Sequence, residues 1–210
     1  MGIAERKERQ KAELRELILG AAREIVVGQG FEQLSMRKIA EAIEYSPATI
    51  YLHFESRDAI ALELVREGFA EMLTALAPAT AVSDPLERLR DIGRRYVRFG
   101  VERSQTYRLI FMEDPKFSDS VIGTQLDLPG EPGSIAFEVL ERTVAELVAT
   151  GVFRQIEPEL ASQVLWAGVH GIVSLRLACP GSQNYFQDVE TLTEKYLESV
   201  EYGFLAEPRP

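Results

Sequence analysis

Residues 30–57 read Gly30-Phe31-Glu32-Gln33-Leu34-Ser35-Met36-Arg37-Lys38-Ile39-Ala40-Glu41-Ala42-Ile43-Glu44-Tyr45-Ser46-Pro47-Ala48-Thr49-Ile50-Tyr51-Leu52-His53-Phe54-Glu55-Ser56-Arg57. Ser35 is a good helix N-cap, and Met36, Ile39, Ala40 and Ile43 follow it at helical spacing. Glu44-Tyr45-Ser46 breaks the pattern, and Pro47 suits the first turn of a second short helix holding Ile50, Tyr51 and Phe54. Ser56 then caps a longer helix predicted from Arg57 to about Leu76. Two short helices joined by a three-residue turn, the second about eight residues long, have the dimensions of a helix-turn-helix.

The same helical spacing extends on both sides. Upstream, Leu14, Leu17, Ile18, Ala21, Ala22 and Ile25 predict a helix from about Arg9 to Val27, stopped at Gly28 and Gly30. Downstream, Ala77 to Ser83 is expected as a linker, and Asp84-Pro85 opens a helix to about residue 101. A short helix is expected over 104–112, an irregular loop over 115–132, and helices over roughly 133–150, 158–178 and 186–205. No sustained period-2 run occurs, so the expected fold is all-α with about nine helices. A helix-turn-helix domain at 1–56 and a ligand-binding and dimerisation domain at 57–210 are the expected divisions.

Composition narrows the chemistry. The 210 residues are 46% hydrophobic and 27% charged, as expected of a globular chain. Cys179 is the single cysteine, and His53 and His170 are the only histidines, which leaves too few ligands for a thiolate or imidazole metal cage. No metal and no cofactor is expected. Ser–His–acid spacing and a phosphate-cradling glycine loop are both missing, which argues against an enzyme. The first residues are charged from Glu5 onward, and the most apolar stretch, residues 164–178, is too short to cross a bilayer. A cytoplasmic chain with no membrane contact is the expectation. Net charge is −10, yet residues 1–60 contribute only −1 of it. Screening confines a charge to about 8 Å, so this acidity decides nothing about nucleic acid.

In a helix-turn-helix the first helix packs inward, here through Ile39, Ala40 and Ile43, while the outer face of the second can enter a DNA major groove. Thr49, Tyr51, Leu52 and His53 offer that face a hydroxyl, a phenol, an apolar edge and an imidazole. Ser35, Arg37, Lys38 and Arg57 lie at helix N-termini, where backbone N–H groups and positive charge hold phosphates. Ser46 completes the candidate DNA contacts. Each has an ordinary alternative: a solvated face for Arg37, Lys38 and His53, and core packing for the Tyr51 ring. The basic run Arg6, Lys7, Arg9 and Lys11 fits either an arm on DNA or a frayed helix start.

The stretch 30–57 resembles the DNA-binding domain of the TetR (tetracycline repressor-like) family over residues of about 10–62. The resemblance implies an all-α homodimer with an N-terminal DNA reader and a C-terminal domain that senses a small molecule. It also implies that Arg37, Thr49, Tyr51, His53 and Arg57 occupy positions that commonly touch DNA. The chain departs from the family pattern at Glu44, which stands at a turn position usually held by glycine, at Ala48 and at Leu52. A second resemblance, carried by residues 107–112 and by Trp166-Ala167-Gly168-Val169-His170-Gly171, is to a TetR C-terminal subtype marked by Trp, His and Gly.

Tyr96, Phe99, Tyr107, Phe111, Met112, Trp166 and His170 are the candidate ligand-binding residues. Trp166 and His170, four apart on one helix face, fit a pocket or a packed core pair. Val164, Gly168, Gly171 and Leu175, with Leu192, Tyr196 and Val200 on the last helix, are the candidate dimer interface. The function expected is a DNA-binding transcriptional regulator, a repressor that a small-molecule effector releases from a palindromic operator in double-stranded DNA. The alternatives are a regulator with no effector and a ligand-binding or enzymatic domain that keeps a vestigial reader.

Overall fold

A computed structural model describes residues 2–112, 128–179, 181 and 187–206. Its helices are α1 (Ile3–Gln29), α2 (Met36–Ala42), α3 (Pro47–Tyr51), α4 (Arg57–Leu76), α5 (Pro85–Glu102), α6 (Ser104–Phe111), α7 (Pro132–Ala149), α8 (Pro158–Ala178) and α9 (Val189–Phe204). Among the described residues these are nine α-helices with no strand, as the spacing predicts. Side-chain caps set several starts. Ser35 accepts from Lys38 N at 3.2 Å, Ser46 from Thr49 N at 3.2 Å, and Asp84 from Leu86 N and Glu87 N at 2.9 and 2.8 Å.

Three local expectations need correction. α1 begins at Ile3 rather than near Arg9, because the Gly2 backbone N–H donates to the Glu5 carboxylate at 2.8 Å and closes the first turn. It also runs through Gly28 and stops only at Gly30, whose φ of 88° no helix continues. The stretch expected as a linker holds a 3₁₀ turn, Ala77–Ala81, with Pro78 in its first turn and Ala79 buried. α3 is five residues long rather than about eight; past Tyr51 the chain only turns, with Phe54 N bonding Ile50 O at 3.0 Å. Most of the expected 115–132 loop lies outside the described residues.

The chain forms two compact units. Among the described residues, the first is built on 2–68 with 108–112, and the second on Phe69–Tyr107 with those from 128 to 206. In the first, Ile18, Ala22, Ile39, Ile50 and Ile60 are fully buried from α1 to α4. Arg15–Glu63 at 2.9 Å and Arg23–Glu67 at 2.6 Å pin α1 along α4.

In the second unit α5 packs against α7, α8 and α9, and α8 packs against α9. Arg90 crosses from α5 to meet the buried Glu201 of α9 with a bidentate pair at 2.8 and 2.7 Å. Those two contacts hold the Arg90 guanidinium well above its usual range. Arg88 ties α5 to α7 through Thr143 and Glu146, and donates to Val82 O at 3.2 Å.

Candidate nucleic-acid interface and ligand site

The first unit presents the α2–turn–α3 pair with one side of α3 inward. Ile50 is fully buried, whereas Tyr51 is 57% and Leu52 80% exposed. Tyr51 at the end of α3 and Leu52 just past it therefore stand side by side in solvent. Ser46 Oγ and Thr49 Oγ1 lie 2.9 Å apart, so both hydroxyls are held at the start of α3. His53 buries Nδ1 with no hydrogen-bond partner among the described residues, leaving Nε2 for an outside partner.

The cations at this face are held by local contacts. Arg37 is 82% exposed on its side chain and pairs with Glu41 one turn on, Nε to Oε1 at 2.7 Å. Lys38 Nζ reaches Gln33 at 2.6 Å and Gln29 at 3.3 Å. Arg57 lies over the Phe31 ring at 5.2 Å, beside Asp58 at 3.3 Å. The turn between the helices carries Glu44 at φ 60°, the left-handed conformation that its position demands. Ser35, Arg37, Lys38, Ser46, Thr49, Tyr51, His53 and Arg57 therefore all belong to the first unit.

The second unit brings four of the candidate ligand residues into one hydrogen-bonded cluster. Trp166 Nε1 donates to Tyr96 Oη at 3.0 Å, and Tyr96 Oη lies 3.2 Å from Tyr107 Oη. Tyr107 Oη lies 2.6 Å from His170 Nδ1. An orientation that gives each proton an acceptor runs Trp166 to Tyr96 to Tyr107 to His170, which makes Nδ1 the final acceptor. Burial pushes the Tyr107 phenol up to about 12 and Tyr96 well above its usual value, so both remain donors. Burial lowers His170, which keeps its imidazole neutral. Phe99 is buried on α5, while Phe111 and Met112 fall in the first unit rather than in this one.

The candidate interface residues separate by exposure. Val164 and Leu175 stand exposed on α8, with Gly171 open beside them. Gly168 instead lies under the Tyr196 ring of the same chain, and Leu192 and Val200 are half-buried. A cavity of about 650 Å³ lined by Arg94, Val97, Arg98, Arg176 and Glu190 went unforeseen, because its walls come from α5, α8 and α9 and no local motif marks them. Among the described residues no group of three His, Cys, Asp or Glu could hold a metal ion, and no helix is long and apolar enough to cross a membrane.

Known proteins share these features. Residues 18–64 match the model for bacterial regulatory proteins of the tetR family, and residues 89–200 match the model for the tetracyclin repressor-like C-terminal domain. The HTH-type transcriptional regulator TcmR of Streptomyces glaucescens is 32% identical over 88 residues, which are 42% of this chain and 38% of that protein. The HTH-type transcriptional activator FasR of Mycolicibacterium smegmatis is 30% identical over 103 residues, 49% of this chain and 47% of that one. Each match thus spans less than half of the curated relative. The fold is also that of the fatty acid degradation regulator FadR from Bacillus halodurans, with a TM-score of 0.71 at 18% identity over 90% of this chain and 95% of that one.

Proposed function

Because this chain belongs to the TetR family of bacterial regulatory proteins, we propose that it binds a palindromic DNA duplex as a homodimer and regulates transcription from that site. The observation that carries this is α3, with Ile50 fully buried and Tyr51 and Leu52 turned out. Tyr51, Thr49 and His53 contact the major groove, and Ser35, Arg37, Lys38, Ser46 and Arg57 hold phosphates at helix N-termini. Reading belongs to residues 1–56, and dimerisation with effector binding to residues 57–210.

Val164, Gly171 and Leu175 on α8 form the centre of the homodimer, since they leave apolar surface open on one helix face. In such a homodimer the two α3 helices read successive major grooves, which lie about 34 Å apart on the duplex. The effector is a small molecule held at Tyr96, Tyr107, Trp166 and His170, and the C-terminal half is of the Trp-His-Gly subtype. Its binding shifts α4, which runs into the reader, and misaligns the half-sites. Tenfold tighter binding to the DNA-free state corresponds to about 1.4 kcal/mol. Release by the effector makes the regulator a repressor of its own operator, a cytoplasmic role that requires no catalytic step.

The test is selection of binding sites from random duplex DNA, then affinity for the winner at several salt concentrations. A palindromic winner bound at nanomolar concentration is expected. Enrichment of no sequence, with only weak salt-dependent binding, rejects the proposal. A second version, a regulator with no small-molecule effector, is favoured by the mutual hydrogen bonds of Trp166, Tyr96, Tyr107 and His170, which already satisfy one another. Screening compounds for release of the selected duplex separates the two.

A further inference from the structure

The face of α1 that packs the first unit changes chemistry where the helix leaves the fold. Ile25, Ala22 and Ile18 are buried at successive turns of that face. Steps of three and four residues carry the same stripe through the half-buried Leu14 to Lys11 and Lys7. Residues 4–13 are all exposed, so about three turns of helix project beyond the core. Helix of that length without packing has little stability of its own, so nothing in the core explains what these turns are for.

Gln10 borders the lysine stripe on one side and Glu8, three residues before Lys11, borders it on the other, while Arg6, Glu5 and Glu16 lie farther round the helix. Glu5 is used in closing the first turn, and Glu13 pairs with Arg9 at 3.6 Å. Arg6, Lys7 and Lys11 have no ion-pair partner among the described residues. Arg15 fixes where the overhang starts. Its guanidinium covers the Phe54 ring at 4.3 Å and meets Glu63 at 2.9 Å, so α1 leaves the unit at the corner joining α3 to α4. Lys11 and Lys7 then stand about 6 and 12 Å farther along the axis. They continue α1 past the point where Arg15 meets Phe54, two residues after Leu52, and Glu63 of α4.

We propose that Lys7 and Lys11 are a second DNA-contact element that holds backbone phosphates of the duplex beside the half-site under α3. This rests on the DNA-binding function proposed above. The two lysines are about 6 Å apart along the helix, enough to serve phosphates one or two steps apart on one strand. Ammonium groups on phosphate add affinity and register without sequence preference.

The experiment compares wild type with the Lys7→Gln/Lys11→Gln variant, both as the full chain, on the selected duplex and on a scrambled one. Gln keeps helix propensity, and a matched circular dichroism spectrum and melting temperature verify the fold. Because the homodimer carries both lysines on each protomer, the variant's plot of log affinity against log salt is expected to be shallower by about four, roughly a hundredfold smaller loss between 50 and 200 mM salt. Both duplexes should lose affinity equally at low salt. Trimming the flanking base pairs should weaken wild type and leave the variant unchanged. If wild type binds its selected duplex and the two slopes coincide, the overhang proposal alone is overturned. If wild type selects no duplex, both it and the DNA-binding function fall.

Discussion

The phenol ring of Tyr196 occupies the space that a Cβ on Gly168 would need. The Tyr196 hydroxyl donates to the Val164 and Leu165 carbonyls at 2.9 and 3.0 Å, and burial pushes it up to about 12, so it remains a donor. A glycine in mid-helix thereby lets α9 close on α8 within one chain.

Gly168→Ala is expected to destabilise the fold by about 1–3 kcal/mol, because a rigid ring has to move. Gly20→Ala is the control: no packed neighbour lies within 4 Å of the place its new methyl group would take, and alanine there should stabilise α1 by up to about 1 kcal/mol. Urea denaturation reads both. Equal effects at the two sites would show that the Tyr196 contact is unimportant.

Glu44 holds φ 60° in the turn between α2 and α3. Replacing it with glycine removes the Cβ clash of that conformation and should stabilise the protein by about 1 kcal/mol. The same change removes a negative charge beside the proposed DNA face, so affinity for the selected duplex should rise. A Glu44→Gly protein with unchanged denaturation midpoint would mean that the turn carries no strain.

Arg90 and the buried Glu201 form the bidentate pair between α5 and α9. Arg90→Leu leaves a carboxylate buried without its cation and should cost about 3–5 kcal/mol. The double variant Arg90→Leu/Glu201→Leu should recover most of that loss. Calorimetric melting of the two proteins checks it, and a double variant no more stable than the single one rejects the buried-charge explanation.

His170 contributes a pH dependence. Its folded pKa lies below the ordinary 6.5 because burial disfavours the imidazolium. The unfolded chain therefore binds more protons between the two values, and stability attributable to His170 is present above about pH 6.5. It declines as pH falls from there through the folded pKa. Denaturation midpoints between pH 5 and 8 should drop more steeply for wild type than for His170→Gln. Parallel profiles would place the acid sensitivity elsewhere.

Helix identities and most helix ends were legible locally because each cap carries its own chemistry. Ser35, Ser46 and Asp84 satisfy backbone donors within three residues of themselves, and Gly30 stops α1 by its φ alone. Where a cap was inconspicuous the boundary slipped. Glu5 closing on Gly2 moved the start of α1 six residues ahead of its expected position. Spacing offered Tyr51 and Leu52 to an outward face but left packing of the Tyr51 ring open, and in the structure Ile50 and Phe54 are buried while Tyr51 and Leu52 are exposed.

Partners across the chain were decided only in three dimensions. Periodicity assigns a residue to a face but does not say which other face it meets. Trp166 and His170 could be read as neighbours one turn apart, yet their link through Tyr96 and Tyr107 depends on α5 and α6 arriving beside α8. Gly168 was expected to admit a helix, and the structure shows that α9 of the same chain takes that space. Arg90 and Glu201, 111 residues apart, carry no mark in sequence that distinguishes them from solvated charges. Local backbone chemistry thus set the nine described helices and the turn that makes the reader. Burial, which depends on the summed packing of distant helices, decided which polar groups are joined and which glycine is filled.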